Sequence, residues 1–318
     1  MDNLERQIKR LITARSSETL ATNWIPHFPS INPAGERPNI SIEEIDDFNT
    51  IAVQLREQYK KEVARSVKNR ANEITLLTTA RGIRRIVFWE GVFLLHKASH
   101  VVSCSQVEIK RGVKTWSLSS AYQGALFGAK AICHLLGVAF PEHESKTVML
   151  DVWPEYPKPA KAKGAIEIDD EPPPIQFTHW PYLFQHQQIW RVFQRLLRVS
   201  KIATWPNEYT RALADIDHAH FAFQRNQIHY VNGKWIFNDL HTLEVDDAFG
   251  NHPENLQNAL VYQMESDFSI AVSLAILRLG YLLIEEVTQN TRMLDDEKEL
   301  IKNQLTQDKH PLYLSAHP

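Results

Sequence analysis

Apolar residues recur along most of this chain at three- and four-residue intervals, the period of a helix buried on one face. Leu4, Ile8, Leu11 and Ile12 mark a short amphipathic helix. Residues 22–40 break the pattern with Pro26, Pro29, Pro33 and Pro38 and read as an extended connector. Ser41 and Glu44 then form a capping-box pattern at the next helix start. Leu55, Tyr59, Val63 and Val67 run down one face of the long basic helix that follows. Ile83, Val87, Phe88, Val92 and Leu95 mark another, and Leu118, Tyr122, Leu126, Ala129, Cys133 and Leu136 one more. Gly137 is the expected stop of the latter, because glycine takes the left-handed backbone that closes a helix.

Residues 141–180 depart from this rhythm. They hold seven of the 16 prolines, including Pro172-Pro173-Pro174, which excludes a continuous helix. Residues 148–153 read as a short strand, with Ala165 to Ile168 as the expected partner, inside a loop-rich insert. Helical spacing resumes with Ile189, Trp190, Phe193, Leu196 and Leu197. One further helix is expected over about 207–230, its apolar stripe being Tyr209, Leu213, Ile216, His220 and Phe223. Asn232-Gly233 marks a tight turn and Trp235-Ile236-Phe237 a short strand or ribbon. A long helix fills roughly 253–289, and the tail is polar. The expected class is all-α, with irregular or short-strand structure only near 141–180 and 232–240. The expected organisation is N-terminal helices over 1–114, a helical core over 115–290 containing the Pro-rich insert, and a tail over 291–318.

Composition changes this picture little. The 318 residues are 43% hydrophobic and 23% charged, as in an ordinary globular protein, with a formal charge of -3. The charge is unevenly placed. Residues 51–114 hold 13 Lys+Arg against 5 acids, a charge of +8, so the remainder carries -11. Lys60, Lys61, Arg65, Lys68 and Arg70 are expected to form one positive face. Such a face is either solvated surface or a meeting place for a phosphate backbone. Two cysteines, Cys104 and Cys133, form no CxxC pair and imply neither a disulfide framework nor a thiolate zinc site. Met1 to Arg6 lacks a signal-peptide layout. The near-apolar run from Phe268 to Ile284 contains Arg278, Ser269 and Ser273 and is short for a membrane span, so a buried helix in a cytoplasmic protein is expected.

No GxGxxG, GxxxxGK[ST] or GxSxG motif is present, which leaves nucleotide-loop enzymes and elbow hydrolases without support. His96 and His100 have the spacing of a helical metal pair, but Lys97 stands where a zinc protease needs glutamate and no third ligand is evident. Asp215-Ile216-Asp217-His218-Ala219-His220 is rich in ligand types, but it reverses the His-Asp order of metal phosphohydrolases. The most informative chemistry lies in Arg225, Asn226 and His229. An arginine and a histidine four residues apart share a helical face, so a permanent cation, an amide and a titratable imidazole can converge on one phosphate. On a continuous helix, Arg211 and His218 fall on that same side, opposite the apolar stripe. Ala214 and Ala222 beside them leave room for close approach.

This arrangement resembles the HEPN superfamily, the higher eukaryotes and prokaryotes nucleotide-binding domains. The resemblance rests on Arg225-Asn226 and His229 ahead of the last long helix. It rests also on the helix over Ser119 to Gly137, with Ser120-Ala121-Tyr122-Gln123-Gly124-Ala125-Leu126-Phe127 near its start. It covers about 115–290. Three residues separate Arg225 from His229, where the family's nuclease signature has four to six. The resemblance implies a metal-independent ribonuclease of toxin or phage-defence type, acting as a homodimer, with an antitoxin or defence-complex partner. His229 would move a proton at the ribose 2′-hydroxyl or the leaving oxygen, Arg225 would stabilise phosphate charge, and Asn226 would orient either. No metal or cofactor is called for. The alternative is a non-catalytic helical module that dimerises and binds nucleic acid, nucleotide or a protein partner.

Overall fold

A computed structural model describes residues 3–24, 74–78, 83–143, 146–147, 149–153, 175–179, 186–217, 221, 268–290 and 299. Most of these residues are helical. The long helices are α3 (Ile83–Lys110) and α4 (Lys114–Leu135), which form an antiparallel hairpin, and α7 (Phe268–Asn290), which packs against both. Around them lie α1 (Asn3–Leu11), α2 (Ser17–Trp24), α5 (His186–Val199) and α6 (Asn207–Asp215). One buried apolar cluster draws on α1, α3, α4, α5, α6 and α7, from Ile8 to Val287, and so on residues either side of position 114.

The periodic stripes account for this packing. Val87, Phe88, Val92 and Leu95 of α3 and Leu118, Tyr122, Leu126, Ala129, Cys133 and Leu136 of α4 and its C-cap are all buried. The hairpin closes where the Gly112 and Val113 N–H groups donate to the Ile109 and Glu108 carbonyls, at 2.8 and 2.9 Å. Just inside that turn two buried serines brace the helices. Ser105 Oγ donates to the Ser117 carbonyl at 2.7 Å and Ser117 Oγ to the Ser105 carbonyl at 2.8 Å. Further along, a Cβ at Gly124 would lie 2.5 Å from Val102 Cγ2, so the absence of a side chain there sets how closely α3 and α4 approach.

The apolar run in α7 is the core of this bundle. Its residues 268–289 are long and apolar enough to cross a membrane, but 83% of that window is buried inside the fold. Several polar groups on it or packed against it are joined internally. Tyr281 donates to Ser99 Oγ of α3 at 2.7 Å, the Leu279 carbonyl accepts from Trp205 Nε1 at 3.0 Å, and the Arg278 guanidinium lies 5.6 Å from the Tyr209 ring centre.

Two expectations need correction. Strand structure is not confined to the Pro-rich insert. Ile74–Thr78 (β1) joins Val138–Ala139 (β2), Met149–Asp151 (β5) and Ile175–His179 (β6) in a four-stranded antiparallel sheet of order β1-β6-β5-β2. A separate two-stranded ribbon pairs β3 (Glu142–His143) with β4 (Lys146–Thr147). The described residues are therefore mostly helical, with a small sheet at the C-terminal end of α4. The strand expected near 148–153 exists as β5, but both its edges are occupied, by β2 and β6, so residues 165–168 are not its partner. Those residues lie outside the described ones.

The single helix expected over 207–230 is the second correction. α6 ends at Asp215, and Ile216 has extended backbone angles, φ -61° and ψ 134°. Two side chains of α5 hold that end open. Gln194 Nε2 donates to the Leu213 and Ile216 carbonyls at 3.1 and 2.5 Å, and Arg198 donates to the Ala214 carbonyl. Carbonyls that would otherwise bond to the next helical turn are already satisfied. Beyond the break, Phe221 is buried in the core, stacked on Trp190 with ring centres 4.0 Å apart, while His220 and Phe223 lie outside the described residues.

Candidate functional site

Arg225, Asn226 and His229 lie outside the described residues, as do His218, Lys60, Lys61, Arg65, Lys68 and Arg70. Arg211 is described. It is exposed on α6, one helical face away from buried Tyr209 and Leu213. The continuous helix on which Arg211 was expected to share a face with Arg225 and His229 ends at Asp215, and the latter two lie outside the described residues.

The weaker metal candidates are now placed. His96 is half-buried and His100 exposed on α3, and His100 Nε2 lies 3.7 Å from Cys104 Sγ one turn on. No group of three metal-ligating side chains exists among the described residues. Asp215 and Asp217 are exposed, while His218 and His220 fall outside the described set.

Two clusters of charge stand out, and neither was anticipated. The first is buried. Arg15, between α1 and α2, meets Asp151 of β5 through two 2.8 Å bonds from Nη2, with 2% and 0% of the two side chains exposed. Arg15 Nε donates to the Leu136 carbonyl at 3.1 Å, and Asp151 also accepts the Trp153 N–H at 2.8 Å. Arg84 of α3, equally buried, donates to the Val152 carbonyl at 3.1 Å and lies 4.7 Å over the Trp153 ring. Complete burial pushes the Asp151 carboxyl above its ordinary range, against the pull of Arg15, the Trp153 N–H and Arg84. Gly137 sits beside this knot at φ +84°, where a Cβ would overlap the Trp153 ring. The knot ties α1, the end of α4 and the sheet together. It is sealed from solvent, so its chemistry is structural.

The second cluster is open. Arg191, Arg195 and Arg198 stand four and three residues apart on α5, on the side away from buried Ile189, Trp190, Phe193, Leu196 and Leu197. Arg195 Nη2 donates to the Lys9 carbonyl of α1 at 3.4 Å, which brings exposed Arg6 and Lys9 alongside. A sequence signal for this strip exists: residues 172–207 contain Arg191, Arg195, Arg198 and Lys201 and no acid.

No protein-family model, characterised protein or solved structure matches this chain.

Proposed function

We propose that this protein is an HEPN-like, metal-independent endoribonuclease of toxin or phage-defence type, with Arg225, Asn226 and His229 as its reacting group. The observation that carries this reading is the Arg225-Asn226 pair and His229, set in sequence between α6 and the buried core helix α7, in a mostly helical fold. In that chemistry His229 takes the proton of a ribose 2′-hydroxyl as the oxygen attacks the adjacent phosphorus. The bond to the 5′-oxygen breaks, and that oxygen leaves with a proton supplied by an acid. A second copy's motif across a dimer would supply it. The Arg225 guanidinium spreads over two phosphate oxygens as negative charge gathers on them.

A second reading is a non-catalytic helical module that binds nucleic acid. The end of α6 at Asp215 favours it, because the continuous helix that would have carried four cationic or titratable side chains to one phosphate stops there.

The deciding experiment is cleavage of mixed-sequence RNA by the full chain, with and without a chelator. His229→Ala and Arg225→Ala should each abolish cleavage while the far-ultraviolet spectrum and melting temperature stay at wild-type values. Arg225→Lys should rescue poorly, since an ammonium lacks the bidentate fork. The chelator should have no effect. Variants that fold and still cleave move the activity elsewhere, and a wild type that binds RNA without cutting it favours the binding module.

A further inference from the structure

Three large apolar side chains stand exposed among the described residues, and all three fall between positions 107 and 116. Val107, Val113 and Trp116 are 47%, 43% and 64% exposed. They sit at the closed end of the α3–α4 hairpin. Val107 is in the last turn of α3, Val113 is the N-cap of α4, and Trp116 is in its first turn. At a rise of about 1.5 Å per residue, each lies within about 5 Å of the hairpin's end along the axis. Gly112 makes the turn at φ +80°, and a Cβ there would meet nothing within 4 Å. The tip therefore projects into open space.

Its charge is mainly of one sign. Residues 107–116 hold Lys110, Arg111 and Lys114 against Glu108, a charge of +2 in a chain whose formal charge is -3. Lys110 and Arg111 are exposed, and no carboxylate among the described residues pairs with either. Glu108 is half-buried and turned toward α4, where it accepts the Ser120 hydroxyl at 2.8 Å. The acid is drawn back along the hairpin, and the two exposed cations are left at its end.

An indole and two aliphatic side chains flanked by cations match the interface of a bilayer. There tryptophan sits at headgroup level with its apolar body toward the acyl chains, while lysine and arginine extend to anionic headgroups. Single-stranded RNA would stack on the indole and place phosphates on the cations, but it gains nothing from two exposed valines. A second copy of the tip would bring like charges together.

We propose that the α3–α4 tip, through Val107, Val113, Trp116, Lys110 and Arg111, docks on the surface of an anionic lipid bilayer. Helix α7 stays in the core, and only the tip enters the interface. Three side chains bury too little apolar area for a permanent anchor, so the contact is reversible and needs both the apolar and the basic groups. The inference stands apart from the ribonuclease reading.

The test is flotation of the full chain with vesicles of phosphatidylcholine alone and of an equimolar mixture with phosphatidylserine. Wild type should float with the mixed vesicles at low salt, stay down with the neutral ones, and be released as salt screens the surface charge. Trp116→Ser should lower the partition coefficient about tenfold. Lys110→Gln with Arg111→Gln should lower it about thirtyfold and remove most of the preference for the mixed vesicles. These positions are exposed, so melting temperatures should stay at the wild-type value. Lys201→Gln removes an exposed charge beside Arg15, at the far end of α4, and should change nothing. A polarity-sensitive dye on exposed Cys104, one turn from Val107, should shift to the blue on the mixed vesicles. If Trp116→Ser does not fold, that dye decides: unchanged emission from floated protein places the contact elsewhere and overturns the proposal. Wild type that floats with neither vesicle, or tip variants that float as well as wild type, also overturn it. If wild type does not float and Trp116→Ser binds single-stranded RNA more weakly, the tip is an RNA platform. If wild type does not float and Trp116→Ser halves the sedimenting mass, the tip is a contact between copies.

Discussion

Arg15 and Arg195 lie at opposite extremes of what a fold can do with an arginine. Arg15 is sealed in, and every part of its guanidinium is answered: Asp151 by two bonds, and the carbonyls of Leu136, Thr13 and Ala14 by others. Arg195 is half-exposed, next to another arginine, with one long bond to a carbonyl. Desolvation explains the contrast. A buried ion must be paired or it destabilises the fold by several kcal/mol, so the Arg15 knot is complete because it is buried. An ion at the rim keeps enough water to go unpaired, and so remains available to a ligand. In this molecule the buried cluster serves stability and the open one meets water.

The largest test of that contrast is Asp151→Ala. It leaves Arg15 buried and unpaired and should lower stability by about 3–5 kcal/mol in urea unfolding. Replacing both partners, as Arg15→Met with Asp151→Leu, should recover most of that loss, because the pair's own net contribution is small. A double variant as unstable as the single one would show that packing, not charge, is at stake.

A smaller effect is expected at the end of α6. Gln194→Ala strips the Leu213 and Ile216 carbonyls of their buried donor and should destabilise by about 1–3 kcal/mol. Hydrogen exchange should then rise first at α6. If it rises evenly through the bundle, the side chain is packing rather than capping.

The two cysteines extend the comparison of sealed and open sites to local opening. Cys133 is buried in α4, close to the Arg15 knot in sequence, and burial pushes its thiol pKa up, whereas Cys104 is exposed. Iodoacetamide should label Cys104 in the native protein and Cys133 only on unfolding. Labelling of Cys133 at the same rate as Cys104 would contradict the buried placement of α4.

The smallest effect should be on the strip. Arg195→Gln should leave the melting temperature unchanged or slightly higher, since it removes a desolvated charge beside a like one. A drop as large as that of Gln194→Ala would mean that Arg195 belongs to the fold.

What the sequence determined by itself was the helices whose stability is local and one-sided. The stripes of α3, α4 and α5 point into the core as their spacing requires, Gly137 stops α4, and the apolar run of α7 is buried rather than lipid-facing. Each follows from periodicity or from the backbone needs of one residue. Tertiary structure decided what depends on residues far apart in the chain. β1 finds β6 across about a hundred residues, so nothing near Ile74 announces a sheet. The apolar spacing from Tyr209 through Ile216 continues past Asp215, yet the helix stops because Gln194 and Arg198 of the preceding helix take its carbonyls. The Arg15–Asp151 pair joins residues 136 positions apart. The arginines of α5 show the division within one element. Their spacing is plain in the chain, but whether a guanidinium is neutralised depends on which carboxylates the fold brings near, and only the packed structure sets that.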